Sequence, residues 1–408
     1  MRVLHVTQGY WPAMGGTELV IQRVSEELVS RFHDQVTVFT TDCFNGEAFF
    51  NRHLPRMPVG WEEHNGVRVR RFHVDSRLSG IVRRLQGPVY RYRLPGNEYL
   101  RTLAQGPRIR GLRQEIAGFP ADVIAASSFP LMHMFESLAA AKRSGRPCVL
   151  HGGLHPDDHW GFQRRRIYDA IGEAAYIANT SFEADYVIAR GAKRERVFVV
   201  GCGVDVERFV GIDKREARRR LGLDEDAPTI GFIGQLGGHK GLDVLMRAMP
   251  EVWKKTPDAR LFIAGARSMF VPHLEAMIQG LPSSRRRRVT VRYDFPSEEK
   301  SDLFAALDVL AYPSGYESFG IAFVEAWAAG KPVVGCLRGA IQSLVSDGVD
   351  GLLVPWQDEF ALADALGTLL SDPARADAMG AAGKAKAYHR YTWRRVGEKF
   401  RDVYSLVA

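Results

Sequence analysis

The sequence predicts a parallel α/β protein built as two successive Rossmann-like domains, and three observations carry that expectation. Short β-branched runs alternate with amphipathic helical stretches, the pattern of parallel sheets covered by helices. The series occurs twice, over halves of similar length. Hydrophobic residues at 46% and charged residues at 25% of 408 residues match an ordinary globular chain, and no apolar run reaches the ~18–20 residues of a membrane helix.

In the first half, strands are expected over residues 3–7, 36–40, 67–74, 122–126, 147–151, 175–179 and 197–200. A helix beginning near Thr17 separates the first two, with Leu19, Val20, Val24 and Leu28 at helical spacing. A second series is expected over 229–234, 260–264, 289–292, 308–312, 332–335 and 351–354. The joint falls near 201–228, which gives domains over 1–200 and 201–390 and leaves an amphipathic segment, 391–408, to pack on either of them. Sheets of this kind bind ligands beyond the carboxyl ends of their strands, so a cleft between the domains is the expected active site.

The net charge of +8 is unevenly spread. Residues 1–200 hold 27 Lys and Arg against 20 Asp and Glu, whereas residues 201–408 hold 28 against 27. Within 68–113 there are twelve arginines, no lysine and only two acids, Asp75 and Glu98. Such a run is either a solvated face or an attraction to something anionic: lipid headgroups, a diphosphate carrier or an acidic glycan. No nucleic-acid-binding motif accompanies it, so nucleic acid is not an expected partner. The N-terminus reads as a strand rather than a signal peptide, and Cys43, Cys148, Cys202 and Cys336 are scattered without metal spacing. A cytoplasmic protein without a metal site is therefore expected.

Three motifs follow strands. Gly15-Gly16-Thr17-Glu18 opens the first helix, where glycines let backbone N–H groups approach an anion; it is not a dinucleotide-binding fingerprint. In the second half, 232–241 (FIGQLGGHKG) joins a glycine loop to Lys240, which suits a phosphate but lacks the Walker pattern. The run 313–327 (PSGYESFGIAFVEAW) carries Glu317 and Glu325. On one continuous helix these carboxylates lie about 12 Å apart, beyond the ~5–9.5 Å of a glycosidase pair. Glu317 is instead expected in the loop and Glu325 on the helix after it, each accepting hydrogen bonds from one ligand.

Together with Gly330-x-Pro332-Val333-Val334 and Asp347-Gly348-x-x-Gly351-Leu352, these motifs occur in the order found in family-4 retaining glycosyltransferases, and the chain resembles that family nearly end to end. The resemblance implies the GT-B fold, a nucleotide-diphosphate sugar as donor, and no metal or cofactor. It implies that Glu325 holds the ribose hydroxyls and Glu317 the transferred sugar. Ser318 and the Phe319, Gly320 and Ile321 amides would line the sugar or phosphate, with Gln235 beside the diphosphate. Lys240 would neutralise that diphosphate as the glycosidic bond breaks, assisted from the Gly15-Gly16 loop. It also implies that 391–408 crosses back to the first domain, the expected acceptor side. An anionic or lipid-linked acceptor, or a small phosphorylated one, suits the arginines of 68–113, as does peripheral contact with an anionic membrane leaflet.

Several positions depart from the family pattern. Gln235 stands where arginine is usual, Ser127 replaces a sugar-positioning histidine, and Gly339-Ala340-Ile341-Gln342-Ser343 lacks the usual acid. His151, ending the next strand, is the nearest substitute for the missing histidine and is carried as a candidate catalytic residue, against the alternative of a structural histidine. Two other functions share the fold: a sugar-nucleotide epimerase, and a sugar-nucleotide binding protein without activity.

Overall fold

The computed structural model describes residues 1–13 and 15–408. The chain forms two compact units, Met1–Cys202 with Trp393–Ala408, and Gly203–Thr392.

The first unit is built on an eight-stranded sheet. Its strands are β1 (Arg2–Val6), β2 (Gln35–Thr41), β3 (Gly60–His64), β4 (Val67–Phe72), β5 (Val123–Ser127), β6 (Cys148–His151), β7 (Ala175–Ala178) and β8 (Val197–Val199), in the order β3-β4-β2-β1-β5-β6-β7-β8. All neighbours are parallel except β3, which pairs antiparallel with β4 at the edge. The central strands are buried on both faces, as helix-covered parallel strands must be. The order reverses between β1 and β5, so the chain ends leaving these two strands diverge and open a crevice there.

Helix α1 (Gly16–Phe32) follows β1 and buries Val20, Ile21, Val24 and Leu28 against the sheet. Two further helices, α2 (Ser79–Arg91) and α3 (Asn97–Gln105), pack on one another in the connection between β4 and β5; α2 has no buried residue. The C-terminal helix Trp393–Val407 lies against α1, close enough that a Cβ on Gly397 would come within 2.8 Å of Glu27 Cβ. Arg31 pairs with Glu398 at 2.9 Å across this contact, and Arg401 donates to Asp34 at 3.0 Å.

The second unit carries six parallel strands: β9 (Thr229–Ile233), β10 (Arg260–Gly265), β11 (Val289–Tyr293), β12 (Val309–Tyr312), β13 (Val333–Cys336) and β14 (Gly351–Val354). Their order is β11-β10-β9-β12-β13-β14, which reverses between β9 and β12. The helix Leu242–Lys255 covers one face with Leu242, Leu245, Met246 and Met249. On the helix Ile321–Ala328, the fully buried Trp327 donates to the Asp350 carbonyl at 2.8 Å.

A buried polar contact joins the C-terminal helix to the first sheet. His5 on β1 bonds Ser25 Oγ through Nδ1 at 2.7 Å and the Tyr404 hydroxyl through Nε2 at 3.0 Å. Replacing Tyr404 by Phe strips His5 Nε2 of that partner inside the core. The expected cost is about 1–3 kcal/mol of unfolding free energy, measured by denaturant titration; an unchanged midpoint contradicts the assignment.

Candidate functional site

The motifs of the second unit meet at its switch point. The 234–241 loop leaves β9 and the 313–320 loop leaves β12, the adjacent strands between which the sheet order reverses. The two loops touch backbone to backbone: Gly315 N–H donates to the His239 carbonyl at 3.1 Å, and Ser314 Oγ to the same oxygen at 3.3 Å. Glycine is required at two points. Gly241 has φ 76°, and a Cβ there would sit 2.1 Å from the Pro313 carbonyl oxygen; Gly234 has φ 155°, and its Cβ would strike the Tyr312 hydroxyl at 2.6 Å.

This contact brings Lys240 and Glu317 together. Lys240 Nζ lies 2.7 Å from Glu317 Oε1, with the two side chains 13% and 11% exposed. A cation and a carboxylate at the carboxyl edge of the sheet, each open to solvent on one side, can be shared by a ligand carrying both phosphate and hydroxyls. Gly320, with φ 104°, precedes the helix Ile321–Ala328 and turns the chain into it. Phe319 is buried with its ring edge-on to Tyr391 at 5.4 Å, Ser318 and Ile321 are half-buried, and Gln235 is exposed.

Glu325 lies on that helix, about one turn after its start. Its Oε1 is 2.5 Å from Lys300 Nζ; burial raises its pKa and the lysine opposes the rise. Sequence reasoning missed Lys300, which no local spacing links to a residue 25 positions away. His239, beside Lys240, has its pKa lowered, first by partial burial and then by the lysine charge.

In the first unit, Gly15 and Gly16 are exposed at the start of α1. The Glu18 side chain folds back over Gly15, where a Cβ would meet Oε2 at 2.5 Å. Glu18 Oε1 accepts from Gln8 Nε2 at 2.9 Å. Ser127 is fully buried, donating to Thr7 Oγ1 at 3.2 Å, while its carbonyl is bonded by His133 Nε2 at 2.7 Å.

His151 ends β6. Its ring is 4% exposed, bonded through Nε2 to Asn179 Oδ1 at 3.0 Å and covered by the edge-on ring of Phe400. Asn179 is anchored in turn: its N–H donates at 2.7 Å to the buried Glu183, which also accepts from the Gly153 and Leu154 amides and the Tyr176 hydroxyl. The imidazole is thus packed on one side, while its Nδ1 is buried without a hydrogen-bond partner among the described residues. The sequence left Glu183 unmarked because a buried acid on a helix has no local signature.

A family model described as glycosyl transferases group 1 matches residues 213–386, and one described as a glycosyl transferase 4-like domain matches residues 15–203. The chain is similar to the D-inositol 3-phosphate glycosyltransferase of Xylanimonas cellulosilytica, 35% identical over 286 residues covering 68% of this chain and 66% of that protein. The protein of the same name from Corynebacterium urealyticum is 36% identical over 286 residues, covering 67% and 65%. The match thus spans just under two thirds of the length of these relatives. Among solved structures, HepE of Anabaena, in complex with UDP and glucose, is similar over 100% of both chains with a TM-score of 0.70 and 21% identity. Sucrose-phosphate synthase of Thermosynechococcus elongatus reaches a TM-score of 0.73 at 19% identity, over 100% of this chain and 99% of that one. These likenesses show the GT-B fold.

Three buried imidazoles of the first unit set an acid limit. Burial pushes His5 down to about 3, and His133 and His151 each to about 4, from an ordinary 6.5. A base kept neutral when folded but free to protonate when unfolded stabilises fully above its unfolded pKa, and loses that stabilisation as pH falls toward the folded value. Unfolding free energy is expected to drop between pH 6.5 and 4, by about 1.4 kcal/mol per pH unit for each histidine. His151→Asn should shallow that slope; a denaturant midpoint flat from pH 7 to 4.5 contradicts the reading.

Proposed function

The chain belongs to the group 1 glycosyltransferases, and from that premise we propose that it moves a sugar from a nucleotide-diphosphate sugar to an acceptor hydroxyl, with retention at the anomeric carbon and without a metal. The observation that carries the reading is the Lys240–Glu317 pair, 2.7 Å apart on the two loops that leave the switch point of the second sheet. That HepE was solved with UDP and glucose supports a nucleotide-sugar donor of this kind.

Lys240 meets the diphosphate, where negative charge grows as the C1–O bond to the leaving group breaks. The acceptor oxygen bonds to C1 from the same face, and its proton passes to the departing phosphate oxygen. Glu317 takes hydroxyls of the transferred sugar, and Glu325 those of the ribose, with Lys300 opposing the rise in pKa that burial gives Glu325. The Phe319, Gly320 and Ile321 amides, at the N-terminus of the helix Ile321–Ala328, face the sugar or phosphate together with Ser318. Gln235 donates a hydrogen bond but no charge, so the electrostatic work within this unit falls on Lys240.

The first unit takes the acceptor. Its arginines within 68–113 suit an anionic or lipid-linked molecule and peripheral contact with an anionic leaflet from the cytoplasmic side.

Lys240→Ala and Glu317→Ala are each expected to lower turnover by about 10²–10³-fold while the thermal midpoint stays within a few degrees. The measurement is acceptor-dependent release of nucleoside diphosphate, with the product anomer read by NMR. Near-wild-type rates in both variants, or an inverted anomer, would overturn the reading.

A further inference from the structure

The switch point of the first sheet opens on a cavity of about 600 Å³. Gln8 reaches it from the end of β1, Glu18 from α1, Gln86 from α2, Gln105 from the end of α3, and Trp160 closes one side. These are groups that bind hydroxyls. Glu18 accepts, and its second oxygen is not taken by Gln8. The Gln105 carbonyl is occupied by the buried Arg164, which leaves its amide nitrogen as the end available to a ligand. Gln86 Nε2 is buried without a partner among the described residues, a cost the fold bears where a ligand oxygen can satisfy it. Trp160 and Phe50 supply the flat apolar faces on which a pyranose ring packs. Its charged groups are Glu18 and Arg83, the latter shared with the cavity beside it.

A second cavity of about 600 Å³ adjoins the first, sharing Phe50 and Arg83 with it. It has the opposite character: Arg52, Arg77 and Arg83 line it with His53, against one acid, Glu47. Arg83 lies over the Phe50 ring at 5.1 Å, on the wall between the two.

Helix α2 joins these cavities to a third surface. At 100° per residue, Ser79, Val82, Gln86 and Val89 form its half-buried row. Leu78, Ile81, Leu85 and Pro88 form a separate row that faces solvent, with Leu78, Ile81 and Leu85 48%, 57% and 56% exposed. Arg84 and Arg91 run beside that row at seven-residue spacing, with Arg77 just before the helix, and none of the three guanidinium groups pairs with a carboxylate among the described residues. A helix with an unpaired arginine row beside a bare apolar row matches an anionic headgroup attached to hydrocarbon.

We propose that the acceptor is a lipid-linked glycosyl phosphate. Its sugar lies in the Gln8–Trp160 cavity, its phosphate in the adjoining arginine cavity, and its hydrocarbon meets the Leu78–Ile81–Leu85 row of α2. The proposal rests on the transferase reading for which molecule is consumed, but its binding test does not involve the donor unit.

Isothermal titration compares three probes: the 1-phosphates of glucose, galactose, mannose and N-acetylglucosamine; their farnesyl phosphodiesters in neutral phosphatidylcholine vesicles; and farnesyl phosphate in the same vesicles. At least one farnesyl phosphodiester should bind ten-fold or more tightly than both its free sugar phosphate and farnesyl phosphate. Changing Leu78, Ile81 and Leu85 to Ser, all exposed and so harmless to folding, should reduce that affinity to the level of the free sugar phosphate. Gln86→Leu with Trp160→Ala should reduce it to the level of farnesyl phosphate. Equal affinity with and without the farnesyl group, equal affinity with and without the sugar, or no binding by any of the four overturns the proposal. Failure of the transferase reading shows separately, as lack of acceptor-dependent diphosphate release despite probe binding.

Discussion

Lys240 and Glu317 meet because two loops from neighbouring strands can lie backbone against backbone. Gly241 and Gly315 make that possible: a side chain on the first would occupy the Pro313 carbonyl, and one on the second the Trp356 indole. With the loops in register, an ammonium group and a carboxylate are held 2.7 Å apart at the reversal of the strand order. There the sheet leaves open backbone and a crevice rather than a packed neighbour. The helix Ile321–Ala328 then places Glu325 about one turn in, against Lys300. The polar constellation of the second unit follows from that loop contact.

The first unit shows the same topological device with different chemistry. Its sheet reverses between β1 and β5, and the groups gathered there are amides, one carboxylate and an indole, bordered by arginines. Behind them the core carries an unusual amount of polarity. His5, Ser25 and Tyr404 bond one another, and Glu183 gathers the amides that carry Asn179 and the loop after His151. Buried polar groups of this kind are tolerated where each has a partner. They tie strand ends and the C-terminal helix together behind the crevice.

The central parallel strands were legible because they are short apolar runs buried on both faces, and β8 and β11 at the sheet edges because their Val, Thr and Phe residues keep the β pattern with less burial. The antiparallel edge strand β3, residues 60–64, went unread: its sequence GWEEH is largely exposed and carries no burial signal. Glycine loops followed by Lys240, Glu317 and Glu325 were equally visible, since their chemistry is local. What depends on distant pairing was not. Lys300 acquires meaning only from Glu325, and Glu183 only from the loop at Gly153. His151 invited a catalytic reading because it ends a strand, and only the structure shows its contacts with Asn179 and Phe400. The arginines of 68–113 were read as a charge excess, and only the helix geometry separates their row on α2 from the apolar row beside it.

The central claim is that the loops at the second switch point bind a nucleotide diphosphate through Lys240. Thermal unfolding across UDP-, GDP-, ADP- and TDP-sugars and their free diphosphates, without added metal, tests it most directly. One nucleotide series should stabilise the protein, by about 2.7 kcal/mol at a hundred times the dissociation constant, and the shift should vanish in Lys240→Ala. No shift with any of them, or a shift that survives the loss of Lys240, contradicts the account.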